Sequence, residues 1–130
     1  MRTRVVLAED NAVVAEQLRG VLETDFEVVA TVGDGRALLA AVEQHDPDVV
    51  VTDITMPVLD GIAATRELKL RRPDMQVVLV SVHQDPELVK QGFEAGALRY
   101  VLKTAAGEEL LPAVRAALQQ PWLPSRGMSG

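Results

Sequence analysis

Apolar positions along this chain follow two alternating patterns. Short aliphatic, β-branched runs recur: "RVVLA" at 4–8, "FEVVATV" at 26–32, "DVVVT" at 48–52, "QVVLVS" at 76–81 and "LRYVL" at 98–102. Near-continuous apolar runs of that length read as strands buried on both faces. Between them the apolar period lengthens to that of a helix. Val14, Leu18, Val21 and Leu22 fall at i, i+4, i+7 and i+8, on one face of a helix that begins near Asn11. Leu38, Ala41 and Val42 mark a second helix, after "GDGR" and before Asp46-Pro47. A third is predicted from Leu59 to Leu70, stopped by "RRPD". Asp85 as N-cap with Pro86 at the first helical position opens a fourth, and Gly96 is placed to end it. The last helix is predicted over 106–119.

Five strands alternating with five helices predict a doubly wound α/β sandwich around a parallel sheet. Two residues fit that pattern poorly. Pro112 falls inside the last helical stretch, where it removes a hydrogen bond and bends the helix unless it lies in the first turn. Gly92 weakens the fourth helix by about 1 kcal/mol relative to alanine, and reads as a tolerated surface glycine in preference to a flexible element.

The chain has 130 residues, the size of one domain, and 48% of them are apolar, enough to build a core. Only Phe26, Phe93, Tyr100 and Trp122 are aromatic, so the core must come from Val, Leu, Ile and Ala. The net charge of −6 argues against this segment gripping a nucleic-acid backbone and is compatible with acids gathered around a cation. Without cysteine there is neither a disulfide framework nor a thiolate metal site. No leader precedes the first strand and no apolar run reaches membrane-spanning length, so a soluble cytoplasmic protein is expected, with no membrane partner. Residues 1–120 read as one domain. The Pro-, Gly- and Ser-rich tail at 121–130 reads as a linker or disordered end.

In open parallel α/β sheets, ligands bind outside the carboxyl ends of the strands. There this sequence places Glu9-Asp10 after the first strand, Asp53 after the third, Ser81 after the fourth and Lys103 after the fifth. Singly, each is an ordinary cap, turn or solvated residue. Together they point to function, because caps have no reason to gather at neighbouring strand ends beside a lysine. Three carboxylates repel one another unless a cation neutralises them, and a hard oxygen set without His or Cys suits Mg²⁺. Lys103 and Ser81 can hold phosphoryl oxygens, leaving Asp53 as the candidate nucleophile for phosphoryl transfer.

These residues, in the motifs "LAEDN" (7–11), "VVVTDITMPVLDG" (49–61), "LVSVH" (79–83) and "GALRYVLKT" (96–104), resemble the receiver domain of two-component response regulators, the CheY-like family, over about residues 3–120. The resemblance implies a flavodoxin-like (βα)5 fold with strand order 2-1-3-4-5. It implies Asp53 as phosphoacceptor, and Glu9, Asp10, Asp53 and the Thr55 carbonyl as the Mg²⁺ site. Ser81 and Tyr100 correspond to the switch residues and Lys103 to the family's lysine. Thr55 and His83 occupy the two positions that tune dephosphorylation. Many members carry proline after that lysine, across a cis bond; here it is Thr104.

"GALRYVLK" and "PWLPS" are most similar to receivers of LuxR/NarL-type helix-turn-helix transcriptional regulators. No such module fits after residue 120, so the chain is expected to be a receiver separated from a DNA-binding regulator, or else one that stands alone. The expected partners are a sensor histidine kinase and a phosphorylation-dependent homodimer, with an output in transcription. Such a receiver catalyses its own phosphorylation and dephosphorylation and is not a turnover enzyme. An aspartate-nucleophile phosphatase of the haloacid-dehalogenase type is disfavoured, because its second acid would fall at Thr55 and no cap domain fits. A receiver that is never phosphorylated is disfavoured by the intact acid pair, Asp53, Ser81 and Lys103.

Overall fold

The structure, a computed structural model, describes residues 2–119. Five parallel strands, β1 (Arg4–Ala8), β2 (Glu27–Val32), β3 (Val49–Asp53), β4 (Gln76–Ser81) and β5 (Arg99–Leu102), form one sheet in the order β2-β1-β3-β4-β5. Between and after them run α1 (Ala12–Leu22), α2 (Gly35–His45), α3 (Gly61–Arg71), α4 (Pro86–Glu94) and α5 (Ala106–Gln119), the last preceded by a 3-10 turn at Lys103–Ala105. This is the predicted doubly wound, flavodoxin-like architecture.

The aliphatic strands divide their side chains by parity, as a pleated strand must. Val6, Val50, Val77 and Leu79 pack with α2, α3 and α4. Val5, Leu7, Val49, Val51, Val78 and Val80 pack with α1 and α5. Each central strand therefore feeds two cores, which is why its sequence is apolar throughout. Caps set the helix starts: Asn11 Oδ1 accepts from Val13 N and Val14 N, Asp34 from Ala37 N, Asp60 from Ala63 N and Asp85 from Glu87 N.

Several boundaries shift from the sequence reading. β3 begins one residue later and reaches Asp53, which pairs with Val80 as the last rung of the ladder. α3 starts at Gly61 rather than Leu59, because Asp60 is its extended N-cap and Val58–Leu59 belong to a turn. α5 passes through Pro112 as one helix. Pro112 and Glu108, whose carbonyl would have received the missing N–H, are both exposed, so water can serve that carbonyl.

Gly92 overturns its surface reading: it is the one buried residue of α4. A Cβ there would lie 2.6 Å from Leu79 Cδ1 and 3.7 Å from Tyr100 Cδ2. The missing side chain is the hole into which Leu79 projects, and it sets how closely α4 sits on β4 and β5. The tail at 121–130 lies outside the described residues.

Candidate functional site

Three backbone devices build the carboxyl edge. At the end of β1, Glu9 N–H donates to the Val32 carbonyl at 2.8 Å, while Glu9 Oε2 accepts from Asn11 N at 3.1 Å. Asn11 then caps α1, so the acidic pair is fixed between a strand end and a helix start. At the end of β3, Asp53 Oδ1 accepts from Ile54 N at 2.8 Å, which orients the carboxylate. The loop beyond is closed by two glycines. Gly61 N–H donates to the Ile54 carbonyl at 2.7 Å, and a Cβ on Gly61 would lie 1.9 Å from the Asp53 carbonyl oxygen. Gly35 N–H donates to the Leu59 carbonyl at 2.9 Å, and a Cβ there would come within 2.2 Å of that oxygen. Sequence reading took Asp60-Gly61 only as a turn signal. That Gly61 is pressed against the backbone of Asp53 itself needed the three-dimensional path.

These devices bring Glu9, Asp10 and Asp53 together, with carboxylate oxygens from all three within 4.8 Å of one another. Glu9 and Asp53 are buried and Asp10 is exposed. Lys103, at the end of β5, reaches across: its Nζ lies 2.5 Å from Glu9 Oε1 and 3.2 Å from Asp53 Oδ2. The first contact is an ion pair to a fully buried oxygen of Glu9. Burial pushes the Glu9 carboxyl above its ordinary value of 4.5, and the charge of Asp53 adds to the rise against the opposing pull of Lys103 and the Asn11 N–H. For Lys103 burial alone would lower the ammonium, but Glu9 and Asp53 outweigh it and hold the group above its usual range.

The three carboxylates outnumber the one ammonium, and they make an all-oxygen donor set that fits a hard divalent cation. Thr55 is exposed in the loop just past Asp53, at the same edge.

Ser81 is fully buried at the end of β4, and its Oγ accepts from His83 N at 3.0 Å, leaving its own O–H to donate. The Tyr100 hydroxyl donates to the His83 carbonyl at 3.0 Å. The His83 backbone therefore joins Ser81 to Tyr100, while its side chain is exposed. Sequence reasoning weighed the His83 imidazole; the structure uses the peptide groups on either side of its Cα, which no sequence signal announces. Thr104 follows Lys103 by a trans bond, since no cis peptide occurs among the described residues.

Comparison with known proteins finds relatives similar in sequence and in fold. The chain is 36% identical over 120 residues to the transcriptional regulatory protein DegU of Brevibacillus brevis, which covers 91% of this chain and 51% of that protein. It is 34% identical over 119 residues to the oxygen regulatory protein NreC of Staphylococcus epidermidis, covering 89% of this chain and 55% of that protein. The chain thus spans about half the length of the curated relatives it matches. Among solved structures, a two-component response regulator of the LuxR family from Aurantimonas sp. SI85-9A1 superposes with a TM-score of 0.88 at 30% identity, covering 99% of this chain and 94% of that one. The signal receiver domain of NarL from Mycobacterium tuberculosis superposes with a TM-score of 0.86, also at 30% identity, covering 92% of this chain and 98% of that one. The profile described as "Response regulator receiver domain" matches residues 5–115, which include every residue of the edge from Glu9 to Lys103, and the chain belongs to that family.

Proposed function

We propose that Asp53 is the phosphoacceptor of a two-component signalling switch, loaded from the phosphohistidine of a sensor kinase in a Mg²⁺-dependent reaction. The observation that carries this reading is the convergence of Glu9, Asp10 and Asp53 with Lys103, drawn from three strands onto one edge. An Asp53 carboxylate oxygen forms a bond to phosphorus as the P–N bond to the donor imidazole breaks, and the bonding pair leaves with the imidazole. The Ile54 N–H keeps the carboxylate oriented for in-line attack. Lys103, already at Asp53 Oδ2, is placed to hold a phosphoryl oxygen of the adduct, and the Ser81 O–H to donate to another. A divalent cation held by Glu9, Asp10, Asp53 and the Thr55 carbonyl would supply charge neutralisation and a Lewis-acid contact for the transferred group.

The adduct carries roughly −1.5 to −2 charges at pH 7 where the carboxylate carried one, so phosphorylation adds up to about one negative charge. Turning the Ser81 hydroxyl toward it releases the His83 N–H, and Tyr100 is bonded to the same residue, so the loop before α4 and the α4–β5–α5 face shift together. Hydrolysis of the adduct returns the carboxylate and inorganic phosphate, with Thr55 and the His83 side chain shaping water access. The wider role in this reading is that of a cytoplasmic receiver whose phosphorylation promotes a homodimer, through α4–β5–α5 or through α1 and α5, and so controls transcription; the similarity to a transcriptional regulatory protein supports the last part. The receiver itself, with its acidic balance, binds no nucleic acid. It is a signalling protein and not a turnover enzyme on an external substrate. No helix among the described residues is long and apolar enough to cross a membrane.

Incubation with phosphoramidate and Mg²⁺ tests the reading. The expected result is one base-labile adduct on the intact chain, absent from Asp53→Asn. No adduct in the presence of bound metal refutes the switch, and rapid multiple turnover on small phosphate esters favours a phosphatase.

A further inference from the structure

The central strand buries a hydroxyl where packing asks only for an apolar side chain. β3 reads Val49, Val50, Val51, Thr52 and Asp53, and Thr52 is 0% exposed. Its partners across the sheet are Ala8 of β1 and Leu79 of β4, both members of the apolar core beneath α2, α3 and α4. Valine has the same branched shape and would bury no polar atom there. The hydroxyl finds its acceptor within the strand: Thr52 Oγ1 donates to the Asp53 carbonyl at 2.9 Å.

That carbonyl belongs to the peptide unit between Asp53 and Ile54. The N–H of the same unit donates to Asp53 Oδ1 at 2.8 Å. One rigid peptide plane therefore joins the Thr52 hydroxyl at its oxygen to the Asp53 carboxylate at its nitrogen. A donor on the carbonyl also polarises the peptide and strengthens its N–H as a donor. Gly61 packs against the same carbonyl, since a Cβ there would lie 1.9 Å from the oxygen. The second carboxylate oxygen, Oδ2, lies 3.2 Å from Lys103 Nζ. Asp53 is thus held at one oxygen by a side chain across the sheet, and at the other by a peptide that Thr52 fixes.

We propose that Thr52 is a positioning residue for phosphoryl transfer: its hydroxyl sets the Asp53–Ile54 peptide plane, and the plane sets the carboxylate for in-line attack. This deepens the reading of Asp53 as phosphoacceptor and rests on it. Without the hydroxyl the plane keeps its steric contact with Gly61 but loses its directional one. The carboxylate then samples more orientations, and fewer encounters with a donor are in line. A threonine kept only for packing has no such effect, because valine fills the same space.

The test pairs Thr52→Val, which keeps the shape and removes the donor, with Thr52→Ser, which keeps the donor and removes a methyl group. Each is labelled with phosphoramidate over a range of Mg²⁺ concentrations and is also unfolded by heat. Thr52→Val is expected to label about tenfold more slowly, the scale of one hydrogen bond, with the Mg²⁺ concentration for half-maximal rate kept within about twofold. Its Tm should equal or exceed that of the unmodified chain, and its Ile54 amide proton should move upfield in the NMR spectrum. Thr52→Ser should keep the labelling rate within about twofold and leave the Ile54 signal in place, while its Tm falls by about 4 °C. Rate and stability then move in opposite directions across the pair, which a packing role does not produce. A Thr52→Val chain that labels as fast as the unmodified one overturns the proposal. So does an equal loss of rate in both variants, or a loss that comes from weaker Mg²⁺ binding alone. If the unmodified chain takes no label with metal bound, the phosphoacceptor reading itself has failed and the positioning role with it.

Discussion

The contact between Gly92 and Leu79 makes a prediction whose sign separates two views of α4. If Gly92 were a tolerated surface glycine, Gly92→Ala would stabilise the domain by about 1 kcal/mol through helix propensity alone. The structure opposes this. The added Cβ lands 2.6 Å from Leu79 Cδ1, and Leu79 is 0% exposed, so its side chain must shift within the core to make room. Overpacking of a buried contact costs about 1–3 kcal/mol. Setting the propensity gain against it leaves Gly92→Ala less stable by about 1 kcal/mol, or roughly 4 °C in Tm. Leu79→Val removes a methylene at that same contact and costs about 1 kcal/mol on its own by opening a small cavity. The double variant returns the methylene on the other side of the contact, so total volume is conserved and the two losses cancel. It should match or exceed the unmodified chain, with a coupling of about 2 kcal/mol between the sites. Urea unfolding followed by far-UV circular dichroism reads this as shifts in midpoint at constant slope. A stabilising Gly92→Ala, with additive behaviour in the double variant, would show that α4 does not rest on Leu79 and would refute the argument.

Two further predictions concern the acidic edge. The folded pKa of Glu9 lies above 4.5, so near that pH the folded chain binds a proton more tightly than the unfolded chain does. The stability contributed by protonated Glu9 is present at low pH and is lost as pH rises from 4.5 through the folded value. With a chelator present, Glu9→Gln should therefore be at least as stable as the unmodified chain at pH 7 and should lack that part of the pH dependence of Tm. A variant that loses stability at pH 7 and keeps the slope contradicts it. Lys103→Met leaves Glu9 and Asp53 facing each other without their ammonium and should cost about 2–3 kcal/mol in metal-free buffer. Added Mg²⁺ should recover more Tm in this variant than in the unmodified chain; an equal recovery would mean that lysine and cation do not neutralise the same charges.

Much of the fold is legible in the sequence because the two patterns that specify it are local. A strand that feeds two cores is apolar at every position, and Val49–Val51 and Val77–Val80 announce themselves without reference to partners. Asn11, Asp34, Asp60 and Asp85 cap the helices they precede, and a cap acts over three residues. The acids and Lys103 are legible for a different reason: a parallel sheet brings all of its strand ends to one edge, so chemistry-bearing residues just past each strand must gather. The features that escape are contacts between elements. Gly92 resembles any helical glycine until Leu79 is seen beneath it. Gly61 reads as half of a turn until its Cα is found against the Asp53 carbonyl. The His83 backbone cannot be read from the identity of residue 83 at all, since any residue but proline offers the same N–H and C=O. Val58 escapes because valine gives no sign of a positive φ; Asn or Gly there would have suggested the turn.

The resting edge is electrostatically unbalanced, and the imbalance is argued by position. Three carboxylates face one ammonium, and two of the acids are buried. A site shaped for stability alone would have replaced Glu9 with an amide, or apolar residues would fill the space, since a buried ion pair seldom outperforms them. Instead the chain keeps the charges on rigid strand ends, where they cannot move apart to relieve their repulsion. Neutralisation must then come from outside. A divalent cation would cancel the two uncompensated negative charges, and phosphorylation of Asp53 would then bring back up to about one negative charge. That returning charge lands beside Lys103 and Ser81 in a site already without slack. The Ser81 hydroxyl can respond by giving up the His83 N–H, and Tyr100 is bonded to the carbonyl of that same residue. On this argument the coupling from Asp53 to α4 needs no long chain of moving parts: it needs an edge too rigid to absorb the charge and a single hydroxyl with two alternative partners.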